Sequence, residues 1–219
     1  MRKPVIFCDF DGTITRSDNI ISIMKQFAPP EWEQVKDKIL SQQVSIKEGV
    51  TTLFSLLPSS KRNEITDFIL QNAEIREGFA EFVAYVKEVG MELYIVSGGI
   101  DFFVIPLLNG FIEEDTIYCN ESDFTGENIK IIWPHSCDNA CGNNCGCCKP
   151  SLIRRLASDD NETIVIGDSI TDLQAAKIAD KVIARDFLVD KCKELNIHYD
   201  SFETFFDVIN ILKGFEVKV

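Results

Sequence analysis

Apolar residues follow two alternating rhythms along the chain. Val5-Ile6-Phe7-Cys8, Leu93-Tyr94-Ile95-Val96, Thr163-Ile164-Val165-Ile166 and Val182-Ile183-Ala184 are short unbroken runs rich in β-forming residues. Such runs are the pattern of strands buried on both faces of a parallel sheet. Between them apolar positions recur every three or four residues, as in Phe79, Phe82, Val83 and Val86, which predict a helix ending at Gly90. Further helices are predicted over 102–108, where Pro106 is a break signal, and over 151–156, where Pro150 suits a first turn. The remaining helices are predicted over 171–179, 189–195 and 202–212. Ile117-Tyr118-Cys119 and the run 129–133, separated by Gly126 and Asn128, predict a hairpin. Alternation of helix and strand is the signature of an α/β fold, here a Rossmann-like parallel sheet with helices on both faces.

One stretch departs from that alternation. After the first strand, helix-start signals stand at Ser17-Asp18, Pro29-Pro30-Glu31, Ser45-Ile46-Lys47-Glu48 and Ser59-Ser60 with no strand between them. Ser45 and Glu48 have the spacing of a capping box. Ile20, Ile23, Met24 and Phe27, then Val50, Leu53, Phe54 and Leu57, each form one apolar stripe. The expectation is a small helical bundle over 15–75, inserted into a core formed by 1–14 and 76–219. Met24, Phe27, Trp32 and Phe54 are expected in the bundle's own core.

Composition narrows the partners. The 219 residues carry a formal net charge of −13 and no basic run, which excludes a nucleic-acid partner, because phosphate backbones are held by clustered Lys and Arg. No apolar stretch approaches the roughly 20 residues needed to cross a bilayer, and no leader pattern precedes the first strand, so no membrane partner is expected and a cytoplasmic location is. The composition sets no oligomeric state. An acidic surface repels anionic ligands, so a phosphate would have to be captured locally by a cation, a lysine or backbone amides.

Candidate chemistry sits where strands end. Asp9-Phe10-Asp11-Gly12-Thr13 follows the first strand, Ser97-Gly98-Gly99 the second, and Gly167-Asp168-Ser169-Ile170-Thr171-Asp172 the third; Lys149 opens the helix just before that third strand. Ligands of open parallel sheets collect outside the carboxyl ends of strands, so these residues can converge. Asp9, Asp11 and Asp168 together make an all-oxygen cluster suited to Mg2+. The chemistry that fits is transfer of a phosphoryl group to an Asp carboxylate, followed by hydrolysis. Asp9 would attack, and Asp11 would protonate the leaving oxygen and then deprotonate water.

These four elements resemble the haloacid dehalogenase superfamily, in its phosphoserine-phosphatase-like branch. The resemblance implies a phosphatase with Asp9 as nucleophile and Asp11 as acid and base, and with Ser97, Gly98 and Lys149 holding the substrate phosphate. It implies Mg2+ held by Asp9, the backbone carbonyl of Asp11, and Asp168, with Asp172 supporting the metal shell, and it makes the insertion a cap that closes over substrate. Phe27-Ala28-Pro29-Pro30-Glu31-Trp32, Trp133-Pro134-His135-Ser136-Cys137 and Cys145-Gly146-Cys147-Cys148-Lys149-Pro150 resemble more narrowly the methionine-salvage phosphatases of that branch. The implied substrate is a small phosphorylated metabolite. The alternatives are phosphoserine, for which Glu31, Glu48 and Arg76 are the available partners, and a non-catalytic phospho-acceptor module. Arg76 itself is open between a substrate contact and a surface ion pair.

Eight cysteines remain, five of them within 137–148. A reducing compartment disfavours disulfides. Three states stay open for the run His135, Cys137, Cys141, Cys145, Cys147 and Cys148: free thiols, disulfides, or a structural zinc site, for which Cys137, Cys141, Cys145 and Cys148 are the four-cysteine set.

Overall fold

The computed structural model describes residues 2–216. At its centre is a seven-stranded sheet of β1 (Lys3–Cys8), β2 (Glu92–Ile100), β3 (Ile117–Asp123), β4 (Lys130–Ile132), β5 (Asn161–Gly167), β6 (Lys181–Ala184) and β7 (Asp200–Ser201). The spatial order is β4-β3-β2-β1-β5-β6-β7, and every pairing is parallel except that of β3 with β4. From β1 the chain goes first to the β2 side and later to the β5 side. The carboxyl end of β1 is therefore the switch point at which sheets of this kind bind ligands.

The helices are α1 (Asn19–Phe27), α2 (Trp32–Leu40), α3 (Ile46–Ser55), α4 (Arg62–Asn72), α5 (Phe79–Glu88), α6 (Asp101–Leu108), α7 (Lys149–Leu156), α8 (Leu173–Ala176), α9 (Asp186–Leu195) and α10 (Phe205–Glu216). Alternate residues of β1 meet helices on opposite faces: Ile6 and Cys8 share a core with Phe79 and Phe82 of α5 and Phe205 of α10, whereas Val5 and Phe7 pack with Leu152 and Ile153 of α7. That two-sided burial is why β1 reads as an unbroken apolar run.

Helices α1 to α4 all lie between β1 and α5 in the chain. Asp18 caps α1 by accepting the Ile21 N–H, and the Ser45–Glu48 capping box opens α3. Met24 and Phe54 are fully buried and Trp32 nearly so, while Phe27 is half-buried edge-on to Phe68. The segment is fastened at two places. Thr15 and Ile75 form an antiparallel bridge where it leaves and rejoins the sheet. Pro58 bridges Asn128, and Phe54 packs edge-on to Phe102 of α6.

Several local features differ from the sequence pattern. Ser97-Gly98-Gly99 is not a turn after β2 but part of the strand, which runs on to Ile100 with its register to β3 broken between Val96 and Ile100. The glycines tolerate that irregularity because they carry no side chain to repack. The hairpin pairs Glu121 with Ile132 through Asp123 with Lys130, so Ile117 and Tyr118 pair with β2 instead of β4. The helix predicted over 171–179 is a 3-10 turn, Ile170–Asp172, followed by the single turn of α8. Pro106 does sit inside α6; the amide it lacks would reach Phe102, one turn from the start, so a single bond is lost. Strand β7 has only two residues and no sequence signal.

Candidate active site

Register places the chemistry. Cys8 is level with Ile95 of β2 and with Ile166 of β5, so the residues that follow all emerge at one edge of the sheet. Those residues are Asp9, Ser97 and Asp168. Asp9 is buried and its N–H donates to the Ile166 carbonyl, which ties the motif to the end of β5. Gly12 then turns the chain back with φ +81°, and a Cβ there would lie 2.4 Å from Asp168 Oδ2. Both the backbone angle and the closeness of that carboxylate require glycine.

Buried Lys149 reaches this cluster from the first turn of α7. Its Nζ lies 2.7 Å from Asp9 Oδ1 and also contacts Asp172 Oδ1. The second oxygen of Asp172 accepts the N–H groups of Asp168 and Ser169 at 3.2 and 3.0 Å. Thr13 Oγ1 donates to Asp168 Oδ1 at 3.0 Å. On the β2 side, Ser97 Oγ accepts the Gly99 N–H at 2.9 Å. A Cβ on Gly99 would stand 2.9 Å from both that hydroxyl and Asp11 Oδ2, so Asp11 and Ser97 both crowd the side of Gly99 where a side chain would stand. Buried Asn120 holds the same backbone by donating to the carbonyls of Gly98 and Gly99.

Charge is unbalanced here. Asp9, Asp168 and Asp172 each offer an oxygen within 4.8 Å of the others, and the ammonium of Lys149 pairs with two of them. Burial, then the charge of Asp172, pushes Asp9 well above the carboxylate range, against the opposing pull of Lys149. The same two causes raise Asp168 to about 6. Burial, then Asp18, raises Asp11 to about 7, although two bonds from Asn19 oppose the shift. For Lys149 burial works against the charge, but Asp172 and Asp9 outweigh it and raise its pKa. A surplus of buried carboxylate over cation, with oxygen donors only, is the donor set a hard divalent cation such as Mg2+ fits. Both oxygens of Asp172 are already engaged by Lys149 and by amides, which suits it to orienting the cluster. Asp9 and Asp168 are the better placed to bind.

The motifs do not mark every residue that builds this edge. Asn19 is buried and donates to Asp11 Oδ1 from its side chain at 2.7 Å and from its backbone at 3.0 Å. Arg76 is not a surface ion pair, and its guanidinium is taken up by backbone carbonyls. It is buried, with Nε 2.7 Å from the Thr13 carbonyl and Nη2 2.6 Å from that of Gly12 and 3.3 Å from that of Thr15. Arg76→Ala strips the donor from three carbonyls of the loop after Asp11, and a loss of about 2–4 kcal/mol is expected in urea unfolding. Arg76→Lys should recover only part of it, since an ammonium cannot reproduce the planar fork. Of the acids considered for an amine group, Glu48 is engaged in the α3 capping box and Glu31 is exposed at the start of α2.

The model of the haloacid dehalogenase-like hydrolase family matches residues 6–177, a span that takes in all four motifs. The chain belongs to the haloacid dehalogenase-like hydrolases. This hydrolase is 63% identical over 218 residues to the 2-hydroxy-3-keto-5-methylthiopentenyl-1-phosphate phosphatase of Geobacillus kaustophilus, covering 100% of this chain and 99% of that one. It is 62% identical to the enzyme of the same name from Geobacillus thermodenitrificans, with 99% and 98% covered. Among solved structures, a phosphoserine phosphatase carrying an analogue of its phospho-aspartyl intermediate superposes with a TM-score of 0.72 at 20% identity, covering 97% of this chain and 99% of that one. That likeness bears on the fold, whose mostly parallel sheet and flanking helices the sequence pattern predicts. With its relatives, the hydrolase is a phosphatase. The non-catalytic phospho-acceptor reading is thereby set aside.

Proposed function

We propose that this hydrolase dephosphorylates 2-hydroxy-3-keto-5-methylthiopentenyl-1-phosphate in methionine salvage, through a phosphoryl group carried on Asp9. The reaction rests on one observation above all: a buried carboxylate at the end of β1 lies 2.7 Å from the ammonium of Lys149, at the sheet edge where Ser97 and Asp168 also emerge. The substrate rests on the names of relatives that match almost the whole chain at 62–63% identity. Phosphoserine is the weaker reading because Arg76 and Glu48 are already occupied.

In the first step an Asp9 oxygen attacks phosphorus in line, and the bond from phosphorus to the substrate oxygen breaks. Asp11 protonates that oxygen as it leaves. Ser97 Oγ, the Gly98 amide and Lys149 Nζ hold the equatorial phosphoryl oxygens and offset their charge. In the second step Asp11, now a carboxylate, takes a proton from the water that attacks the aspartyl phosphate, releasing inorganic phosphate and restoring Asp9. Asp9, Asp168 and the carbonyl of Asp11 would hold Mg2+, with Asp172 orienting them. The bound cation would supply Lewis-acid neutralisation of phosphoryl charge. Residues 15–75 would act as the cap on a core of 1–14 and 76–219, excluding water while the phosphoryl group is transferred; Met1 and residues 217–219 of that division lie outside the described residues. The two chain crossings at Thr15 and Ile75 would be its hinge. Among the described residues no helix is long and apolar enough to cross a membrane, and a cytoplasmic place is proposed with the pathway.

The acid role has a pH signature. Asp11 must be protonated to begin the reaction, and its pKa is raised to about 7, so kcat/KM is expected to fall as pH rises through about 7. Asp11→Asn should lose that descending limb together with most of the rate. A phosphate-release screen tests the substrate. The enol phosphate of methionine salvage should be hydrolysed at least about 100-fold more efficiently than phosphoserine. Equal, slow rates on both would refute the substrate but leave the phosphatase chemistry standing.

A further inference from the structure

The segment between β4 and α7 is a second centre, separate from the carboxylates. Residues 133–148 contain no helix or strand, yet the segment delivers Lys149 to Asp9. Within it the four Sγ atoms of Cys137, Cys141, Cys145 and Cys148 all lie within 4.8 Å of one another. Cys141 and Cys145 are 3.8 Å apart, far beyond a disulfide bond of about 2.05 Å. That separation is the edge of a tetrahedron whose centre lies about 2.3 Å from each corner, the zinc–sulfur distance. The spacing Cys-x3-Cys-x3-Cys-x2-Cys gives no regular motif, and the fold makes the selection instead. Cys147 turns away to the Tyr118 carbonyl, and the His135 ring lies against Tyr118 at 5.3 Å.

Donors also point at the sulfurs. The Cys145 N–H donates to Cys137 Sγ at 3.4 Å. Ser151 Oγ accepts the Asp138 N–H at 2.9 Å and donates to Cys148 Sγ at 3.0 Å. Hydrogen bonds aimed at sulfur are how a thiolate centre is oriented from outside its ligands.

We propose that Cys137, Cys141, Cys145 and Cys148 bind one structural Zn2+ as a tetrathiolate. Binding releases four thiol protons and leaves a net charge of −2 on the centre. Its purpose follows from what the loop touches. Cys148 immediately precedes Lys149, while Asn144 Nδ2 donates to Ser45 Oγ at 2.9 Å and Lys47 Nζ lies 5.8 Å from the Trp133 ring centroid. The zinc therefore crosslinks a loop that carries the lysine of the active site at one end and rests on the start of α3 at the other. It takes no part in bond breaking.

The test is metal content and spectroscopy of the full chain, purified under reducing conditions and reconstituted with Zn2+ alone. About one tightly held zinc per chain is expected, lost in Cys141→Ser and in Cys145→Ser. Co2+ in its place should give the intense thiolate-to-metal charge-transfer bands of a four-sulfur tetrahedral site. Should the variants fold poorly, the wild-type chain still decides the matter through alkylation. Its four clustered thiols should resist iodoacetamide until zinc is stripped by a chelator. Substoichiometric zinc after reconstitution, with all four thiols alkylated at once or paired as disulfides, would overturn the proposal.

Discussion

Asp9→Asn is expected to lower kcat for phosphate release by on the order of 10⁴-fold or more, with little change in the folded state. The amide keeps the shape of the carboxylate but cannot accept a phosphoryl group and release it to water. Its effect on stability should run the other way. Asp9 is held above its ordinary pKa by burial and by Asp172, so the folded state favours its protonated form, and the charged form costs stability once the pH exceeds the unfolded pKa. Removing that charge should therefore leave the metal-free chain at least as stable at pH 7 as the parent. Stopped phosphate release with an unchanged or higher urea midpoint is the combined result to look for. A variant that loses activity because it unfolds would not meet it.

Lys149→Met should produce the second large effect, and there activity and stability fall together. The ammonium is the shared partner of buried Asp9 and Asp172, and methionine fills the space without the charge. Removing the cation of a buried ionic cluster strands its carboxylates, a cost of about 3–5 kcal/mol. The loss should be largest at neutral pH and shrink toward pH 5, because Asp9 and Asp168, already raised and no longer held down by the lysine, become protonated. In the proposed mechanism the same lysine holds the phosphoryl oxygens, so kcat/KM is expected to drop by at least about 100-fold. Urea unfolding at two pH values, alongside phosphate-release kinetics, separates the two contributions. An unchanged unfolding midpoint at pH 7 would show that Lys149 is not the counter-ion the geometry makes it.

The residues that end strands were legible in the sequence because chemistry and topology coincide there. Asp9, Ser97 and Asp168 stand at the ends of apolar runs, and adjacent parallel strands in register bring such ends together without further information. The helices inserted after β1 were equally visible, since Asp18 and the Ser45–Glu48 pair announce them. What escaped was whatever depends on the path of a loop. Arg76 binds three carbonyls between Gly12 and Thr15, and a backbone acceptor leaves no mark in sequence. Asn19 lies one residue past a helix cap, where its burial against Asp11 looks like any polar first turn. Glycine misled in one place: Ser97-Gly98-Gly99 has the composition of a turn, yet the chain stays extended because β3 and Asn120 hold it from the side. The choice among the clustered cysteines was open for the same reason, as only the fold of 133–148 decides which sulfurs meet.

Phosphate is proposed to pass through Asp9. The most direct test is to mix p-nitrophenyl phosphate, whose leaving group needs no proton from Asp11, with Asp11→Asn, in which hydrolysis of the intermediate is slowed. The mixture is then quenched with acid and reduced with borohydride, which converts an acyl phosphate to an alcohol. Peptide mass spectrometry should find homoserine in place of aspartate at position 9, dependent on substrate. A burst of p-nitrophenolate with position 9 unmodified, or with homoserine at another aspartate, would rule out Asp9 as the nucleophile.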